Sequence, residues 1–230
     1  MTQRLLALDT TTEACSVAAG EGAVAASRWL RLPRGQSREI IPMIDAVLAE
    51  LGWSRASLDV LACCRGPGSF TGVRISTGVA QGLAQGLDCP VIPVSTLATL
   101  AEGAFARAAA DRVLAAIDAR KGEVYWGAFQ PGETGPEALT TETVGAPETV
   151  ELPAQQGRWV GVGTGYGAYP DALGNRLTGL ASIDGEALPD AADLWRIARR
   201  LADAGCLGAP ADAVPEYLRN RVADPPPANP

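Results

Sequence analysis

Two stretches of the chain carry residue types that could handle an anion. The run Arg65-Gly-Pro-Gly-Ser-Phe-Thr-Gly-Val-Arg74 follows the apolar segment Val60-Leu-Ala-Cys-Cys64 and opens a region in which glycines recur at every fourth position. Strand, Gly/Pro turn, then helix is the layout that turns backbone N–H groups outward at a helix N-terminus. Gly66, Gly68 and Ser69 are the residues such a nest would use. The run lacks a Gly-Lys-Ser/Thr ending, so no lysine is placed to reach a terminal phosphate. A tight turn capped by Ser69 explains the same residues. The second stretch is Asp9-Thr10-Thr11-Thr12, a carboxylate and three hydroxyls closing the apolar opening Arg4-Leu-Leu-Ala-Leu. There the plainer reading is that the side chains satisfy the backbone of a turn.

Other chemistry is limited by composition. The 230 residues include no histidine, which removes Ser-His-Asp and Cys-His catalysis and every histidine-based metal site. Five cysteines (Cys15, Cys63, Cys64, Cys89, Cys206) show no C-x-x-C spacing and read as small buried residues of a reduced protein. The net charge of −7, with arginines scattered among acids, gives no dense basic patch for phosphates, so direct nucleic-acid binding by this chain alone is not expected. No apolar run is long enough to cross a bilayer and the N-terminus does not read as a signal peptide, which makes the cytoplasm the expected location, without membrane contact.

The elements that must position these residues follow from periodicity. Strands at about 4–9, 14–19 and 23–31 form a meander. Gln36 to Leu51 carries Ile40, Ile44, Val47, Leu48 and Leu51 at helical spacing, with Ile41 and Met43 outside that stripe. A strand over 59–64, the Gly/Pro turn, a helix over 70–87, a strand over 90–94 and a helix to about 109 capped by Ser95 or Thr96 complete a first unit, 1–110. A second, 111–223, opens with a hairpin of strands 112–117 and 123–129 around Asp118-Ala-Arg-Lys-Gly122. It continues through a Pro/Gly/Thr-rich loop with a short helix over 130–156, a strand at 159–163, a short helix at 166–173 and a helix at 191–204. The Pro-rich end, 224–230, is expected to be disordered. Asp9 and Asp118 both close the first strand of a hairpin-opened unit. The fold class is α/β: two related lobes, each a mixed sheet flanked by helices.

Two glycine patterns remain. Gly163, Gly165 and Ala168 fit G-x-G-x-x-A, but the βαβ unit that gives this pattern its meaning is missing, and a plain turn explains it. Gly78, Gly82 and Gly86 lie inside the 70–87 helix, where each costs about 0.5–1 kcal/mol relative to alanine. Close approach of another backbone would compensate, either within the lobe or at a subunit interface. The apolar girth of the 36–51 helix favours an interface built from both helices.

The runs Leu5-Leu-Ala-Leu-Asp-Thr, Gly66-Pro-Gly-Ser-Phe-Thr-Gly-Val-Arg74, Ile117-Asp-Ala-Arg-Lys-Gly-Glu-Val-Tyr125 and Pro215-Glu-Tyr-Leu-Arg219, in this order, resemble the TsaB (YeaZ) family of the sugar kinase, Hsp70 and actin superfamily. The resemblance implies an actin-like (RNase H-like) fold and a non-catalytic role in forming N6-threonylcarbamoyladenosine in tRNA. It implies binding and activation of a TsaD-like catalytic subunit that holds the metal, with a TsaE-like ATPase also joining. No catalytic residue, metal or cofactor is then expected here. Asp9, Thr10, Thr11, Gly66, Gly68, Ser69, Asp118 and Gly163 would be a degenerate nucleotide site. Ile40, Ile44, Val47, Leu48, Arg74, Gly78, Val79, Gly82 and Leu83 would face the partner, or a second copy in a homodimer through the same helices. Many relatives carry a histidine where this chain has Gln36. The competing expectation is a stand-alone ATPase or small-molecule kinase using Asp9 and the 66–69 turn.

Overall fold

In the computed structural model, which describes residues 3–219, the chain folds into two mixed sheets separated by a pair of helices. The tail expected at 224–230 lies outside the described residues. The first lobe runs β1 (Arg4–Asp9), β2 (Ala14–Glu21), β3 (Ala23–Arg31), α1 (Gln36–Glu50), β4 (Val60–Cys64), α2 (Phe70–Leu87), β5 (Val91–Val94) and α3 (Thr96–Arg107). The second runs β6 (Arg112–Arg120), β7 (Glu123–Pro131), β8 (Pro136–Ala138), β9 (Thr143–Gly145), β10 (Trp159–Val162), α4 (Thr164–Ala168), β11 (Leu180–Asp184) and α5 (Ala191–Asp203).

The sheet orders establish the duplication that the sequence only hints at. The first is β3-β2-β1-β4-β5, antiparallel through the meander and parallel through β1, β4 and β5. The second, read as β8-β7-β6-β10-β11, repeats that order and those directions. This is the two-lobed actin-like fold. In the second lobe the third-strand position is split: β8 pairs with the end of β7 and β9 with its beginning. Where the first lobe has α1, the second has irregular chain and one 3-10 turn, Pro147–Thr149. Its counterpart of α2 is only α4, followed by a π-helical segment Pro170–Asn175.

Alternation along the buried strands divides the core into layers. Leu6, Leu8, Cys15, Val17, Leu61 and Cys63 face α1 and α2, whereas Leu5, Ala7, Ala18, Ala62 and Cys64 face α3 and α5. Adjacent Cys63 and Cys64 thus serve different cores, as strand geometry requires. The α3/α5 layer also covers Val113, Ala115, Ile117, Val160 and Val162 of the second sheet, so one continuous apolar core joins the lobes.

Polar groups in this middle layer are paired across it. Trp195 Nε1 donates to the Leu5 carbonyl at 3.1 Å and the Ala191 amide to Ser16 Oγ at 2.9 Å. Arg200 binds both oxygens of Glu102 at 2.6 and 3.0 Å, and Arg107 reaches Asp193 at 3.0 Å. A methyl at Gly103 would lie 2.1 Å from Arg107 Nη2 and 2.4 Å from Asp193 Oδ2, so a side chain there would displace the Arg107–Asp193 pair.

Several expected boundaries are corrected. β6 extends through Arg120, leaving Lys121 and Gly122 as a two-residue turn. Region 130–156 holds the expected short helix, as the 3-10 turn Pro147–Thr149, and also two three-residue strands where only loop is expected. β11, a largely exposed edge strand, is absent from the sequence-based assignment because it lacks a buried face and strong alternation. Pro42 lies in the second turn of α1, beyond the first turn where it is best tolerated, on the helix's exposed side.

Candidate functional site

Asp9 ends β1 with its side chain fully buried. Its Oδ1 accepts from the Thr11 amide at 3.1 Å and from Thr11 Oγ1 at 2.7 Å, while Oδ2 is buried without a hydrogen-bond partner at normal distance among the described residues. Burial raises the carboxyl pKa to about 6 despite the Thr11 donors, which oppose the shift.

The two threonines lie directly on the first turn of α2. Thr10 Oγ1 donates to the Gly72 carbonyl at 2.7 Å, and the Ser69 amide donates to the Thr11 carbonyl at 2.7 Å. Thr96 Oγ1 donates to Thr11 Oγ1 at 3.1 Å. A methyl at Gly68 would sit 2.3 Å from the Thr11 carbonyl oxygen, and one at Gly72 would sit 2.1 Å from that of Thr10. Ser69 caps α2 by accepting from the Gly72 amide at 3.1 Å. Gly68 and Gly72 therefore serve backbone-to-backbone packing between the Thr10–Thr11 segment and the first turn of α2. Gly66, at φ +111°, faces elsewhere: a methyl on it would lie 2.8 Å from the Glu216 carbonyl oxygen.

The second lobe repeats this logic. Asp118 Oδ1 accepts from the Arg120 amide at 2.8 Å and from the Tyr169 hydroxyl at 3.3 Å. The Asp118 amide donates to Thr164 Oγ1 at 3.1 Å. Gly163, at φ +109°, packs on β6, where a methyl would meet the Ala116 carbonyl oxygen at 2.3 Å. The G-x-G-x-x-A pattern is a packing turn.

Between the lobes lies a cleft of about 600 Å³. Thr11, Gly68, Ser69 and Asp118 border it, whereas Asp9, Thr10, Gly66 and Gly163 are not among its lining residues. Sequence reasoning missed the charges across its mouth. Arg120 of the second lobe meets Glu13 of the first at 3.0 Å, and Arg31 of the first meets Glu186 of the second at 2.9 Å. These partners lie more than a hundred residues apart, so no local pattern could have paired them. Gln36 borders the same cleft and donates to the Thr12 and Leu32 carbonyls, both at 3.0 Å, fixing the entry to α1.

The helix pair expected to face a partner divides. Ile40, Ile44, Val47 and Leu48 are buried against the first sheet, so these four are corrected from contact residues to core residues. Met43, outside their stripe, joins the same core with its sulfur 3.6 Å from Cys15 Sγ, which accounts for the girth of α1 without a partner. On α2, Val79 and Leu83 are half-buried against this core. Arg74, Gly78 and Gly82 are exposed, and a methyl at Gly78, Gly82 or Gly86 would meet no atom of the described residues within 4 Å. Packing among the described residues therefore does not explain these glycines. Arg74 lies 3.8 Å over the Phe70 ring and donates to the Tyr217 hydroxyl at 2.7 Å. Phe70 and Tyr217, 50% and 46% exposed, also went unnoticed in the sequence.

Residues 32–160 match the family model described as TsaD, tRNA N6-adenosine threonylcarbamoyltransferase. Along nearly its whole length the chain is similar to the tRNA threonylcarbamoyladenosine biosynthesis protein TsaB of Escherichia coli, 49% identical over 96% of both chains. It is also similar to the crystallised YeaZ of Pseudomonas aeruginosa, with a TM-score of 0.88 and 42% identity over 94% of this chain and 100% of that one. Similarity to the tRNA N6-adenosine threonylcarbamoyltransferase of Chromobacterium violaceum is 41% over only 64 residues, 28% of this chain and 19% of that one.

Proposed function

Because the chain belongs to the TsaB (YeaZ) family, we propose that it serves tRNA threonylcarbamoyladenosine formation as a non-catalytic subunit that binds and activates a TsaD-like transferase. The observation that carries this reading is the outer face of α2. Three glycines on one flank of a helix cost together roughly 1.5–3 kcal/mol, and no packing among the described residues offsets that cost. A second backbone approaching along Arg74, Gly78 and Gly82, with Val79 and Leu83 at its flank, would offset it. The match of residues 32–160 to the transferase family model supports a partner of related fold, and the same face suits a second copy of this chain. The packed turns around Asp9 and Gly163 weigh against nucleotide chemistry within the chain. The metal and ATP chemistry belong to the partners, a TsaE-like ATPase among them, in the cytoplasm.

The test is co-purification with a TsaD-like subunit. Gly82→Trp abolishes the complex while the free chain stays folded, because the added ring points into open space. Gly82→Ala raises the free chain's unfolding free energy by about 0.5–1 kcal/mol in urea titration. A complex that survives Gly82→Trp overturns the reading.

A further inference from the structure

Three of the sequence runs described above, 65–74, 117–125 and 215–219, meet in space beside the cleft mouth, and the nucleotide-site reading gives this meeting no role. The meeting is made by the final described segment, Val214–Arg219, which crosses from one lobe to the other. On the first lobe the Glu216 amide donates to the Arg65 carbonyl at 2.8 Å, and the Glu216 carboxylate pairs with Arg65 Nε at 2.9 Å. The Glu216 carbonyl lies so close to Gly66 that no side chain fits there. Next along the chain, the Tyr217 hydroxyl receives Arg74, and its ring lies 5.9 Å from that of Phe70. On the second lobe Arg219 Nη2 donates to the Ala119 carbonyl at 3.1 Å and pairs with Glu123, and the guanidinium sits 6.0 Å over the Tyr125 ring.

The β6–β7 tip that Arg219 grips is held in an unfavourable conformation. Arg120 and Lys121 are adjacent non-glycine residues with φ of +61° and +56°. Positive φ at Lys121 and Gly122 is what a two-residue hairpin turn favours, whereas Arg120, outside that turn, persists there only where its surroundings hold it. Here the surroundings are Arg219 on one side and, on the other, Glu13 across the cleft and Asp118, which meet the Arg120 guanidinium at 3.0 and 3.1 Å. The Arg120–Glu13 bridge is exposed and would by itself contribute little. It holds its geometry because the tip presenting it is fixed from behind.

We infer that Val214–Arg219 is a strap that sets the width of the interlobe cleft. It ties the first turn of α2 to the β6–β7 tip, and through that tip holds the Arg120–Glu13 bridge at the cleft mouth. Releasing either end loosens both rims. The inference concerns the free chain and does not depend on which partner α2 meets.

The test is hydrogen exchange followed by mass spectrometry on the full chain, comparing wild type with Arg219→Ala and Gly66→Ala. The first frees the second-lobe end and the second displaces the first-lobe end. The strap predicts exchange faster by about tenfold or more at both rims, residues 10–14 and 119–124, in each variant, with α1 and α5 unchanged. Acceleration confined to the lobe that carries the substitution, or none, overturns the inference. Should Gly66→Ala fail to fold, Arg219→Ala alone decides, because residues 10–14 lie in the opposite lobe from its contacts at 119–123.

Discussion

Asp9 illustrates how a residue with catalytic credentials can be structural. The sequence places a carboxylate at a strand end before hydroxyls, and the fold seals it behind Thr11, with Gly68 and Gly72 pressed against the threonine backbone. A carboxyl whose folded pKa is raised from 3.8 to about 6 has a definite linkage sign. Below about pH 3.8 it is protonated in both states and its stabilising contribution is fully present. As pH rises through 6 that contribution is lost, because the folded state must first keep a proton that the unfolded state has released and then ionise a buried group. Glu142, raised by burial to about 7, adds the same sign. In Asp9→Asn, the fall in unfolding free energy between pH 4 and pH 8 shrinks by about 2–3 kcal/mol, measured by urea titration at both pH values. An unchanged pH dependence would show that Asp9 is not buried as a strained acid.

Among the elements, α1 and α2 separate two roles that their sequences blend. The stripe of α1 belongs to the lobe's core, so Ile44→Asp buries a charge among Leu and Val side chains. That substitution destabilises by at least about 3 kcal/mol and yields insoluble or unfolded chain, read by circular dichroism. A soluble, folded Ile44→Asp chain would place α1's stripe on the surface after all. Periodicity exposed β1 through β5, the cap at Ser95 and the long helices, because each buries a regular face. It missed β8 and β9, three residues each, and the exposed β11, because elements this short or this weakly buried impose little hydrophobic pattern. It flagged the α2 glycines by their cost and leaned to an interface through the girth of α1, which proves to be core; what lies above the glycines is not written in the helix's own sequence.

Over the whole molecule, two copies of one topology share a single middle layer. The α3/α5 pair is tied to both sheets by apolar packing, and the arginine–carboxylate pairs of Glu102 and Asp193 join its two helices. The second copy has shed the helix corresponding to α1 and nearly all of the one corresponding to α2, so α2 of the first lobe is the long helix left with a bare, glycine-notched flank. Asp9 and Asp118 were recognisable as counterparts from the sequence, since each sits at or near the end of its lobe's first strand, Asp9 closing β1 and Asp118 lying just inside the end of β6. The strap and the cleft-mouth bridges were not, because they join residues distant in the chain.

The central claim is that this chain contributes a surface and its neighbours contribute the chemistry. The most direct measurement is the yield of threonylcarbamoyladenosine in tRNA when a TsaD-like subunit and its ATPase partner are supplied with wild-type, Asp9→Asn or Gly82→Trp chain. The account predicts a wild-type yield with Asp9→Asn and a yield no higher than in the chain's absence with Gly82→Trp. Loss of product with Asp9→Asn, together with undiminished product with Gly82→Trp, would contradict it.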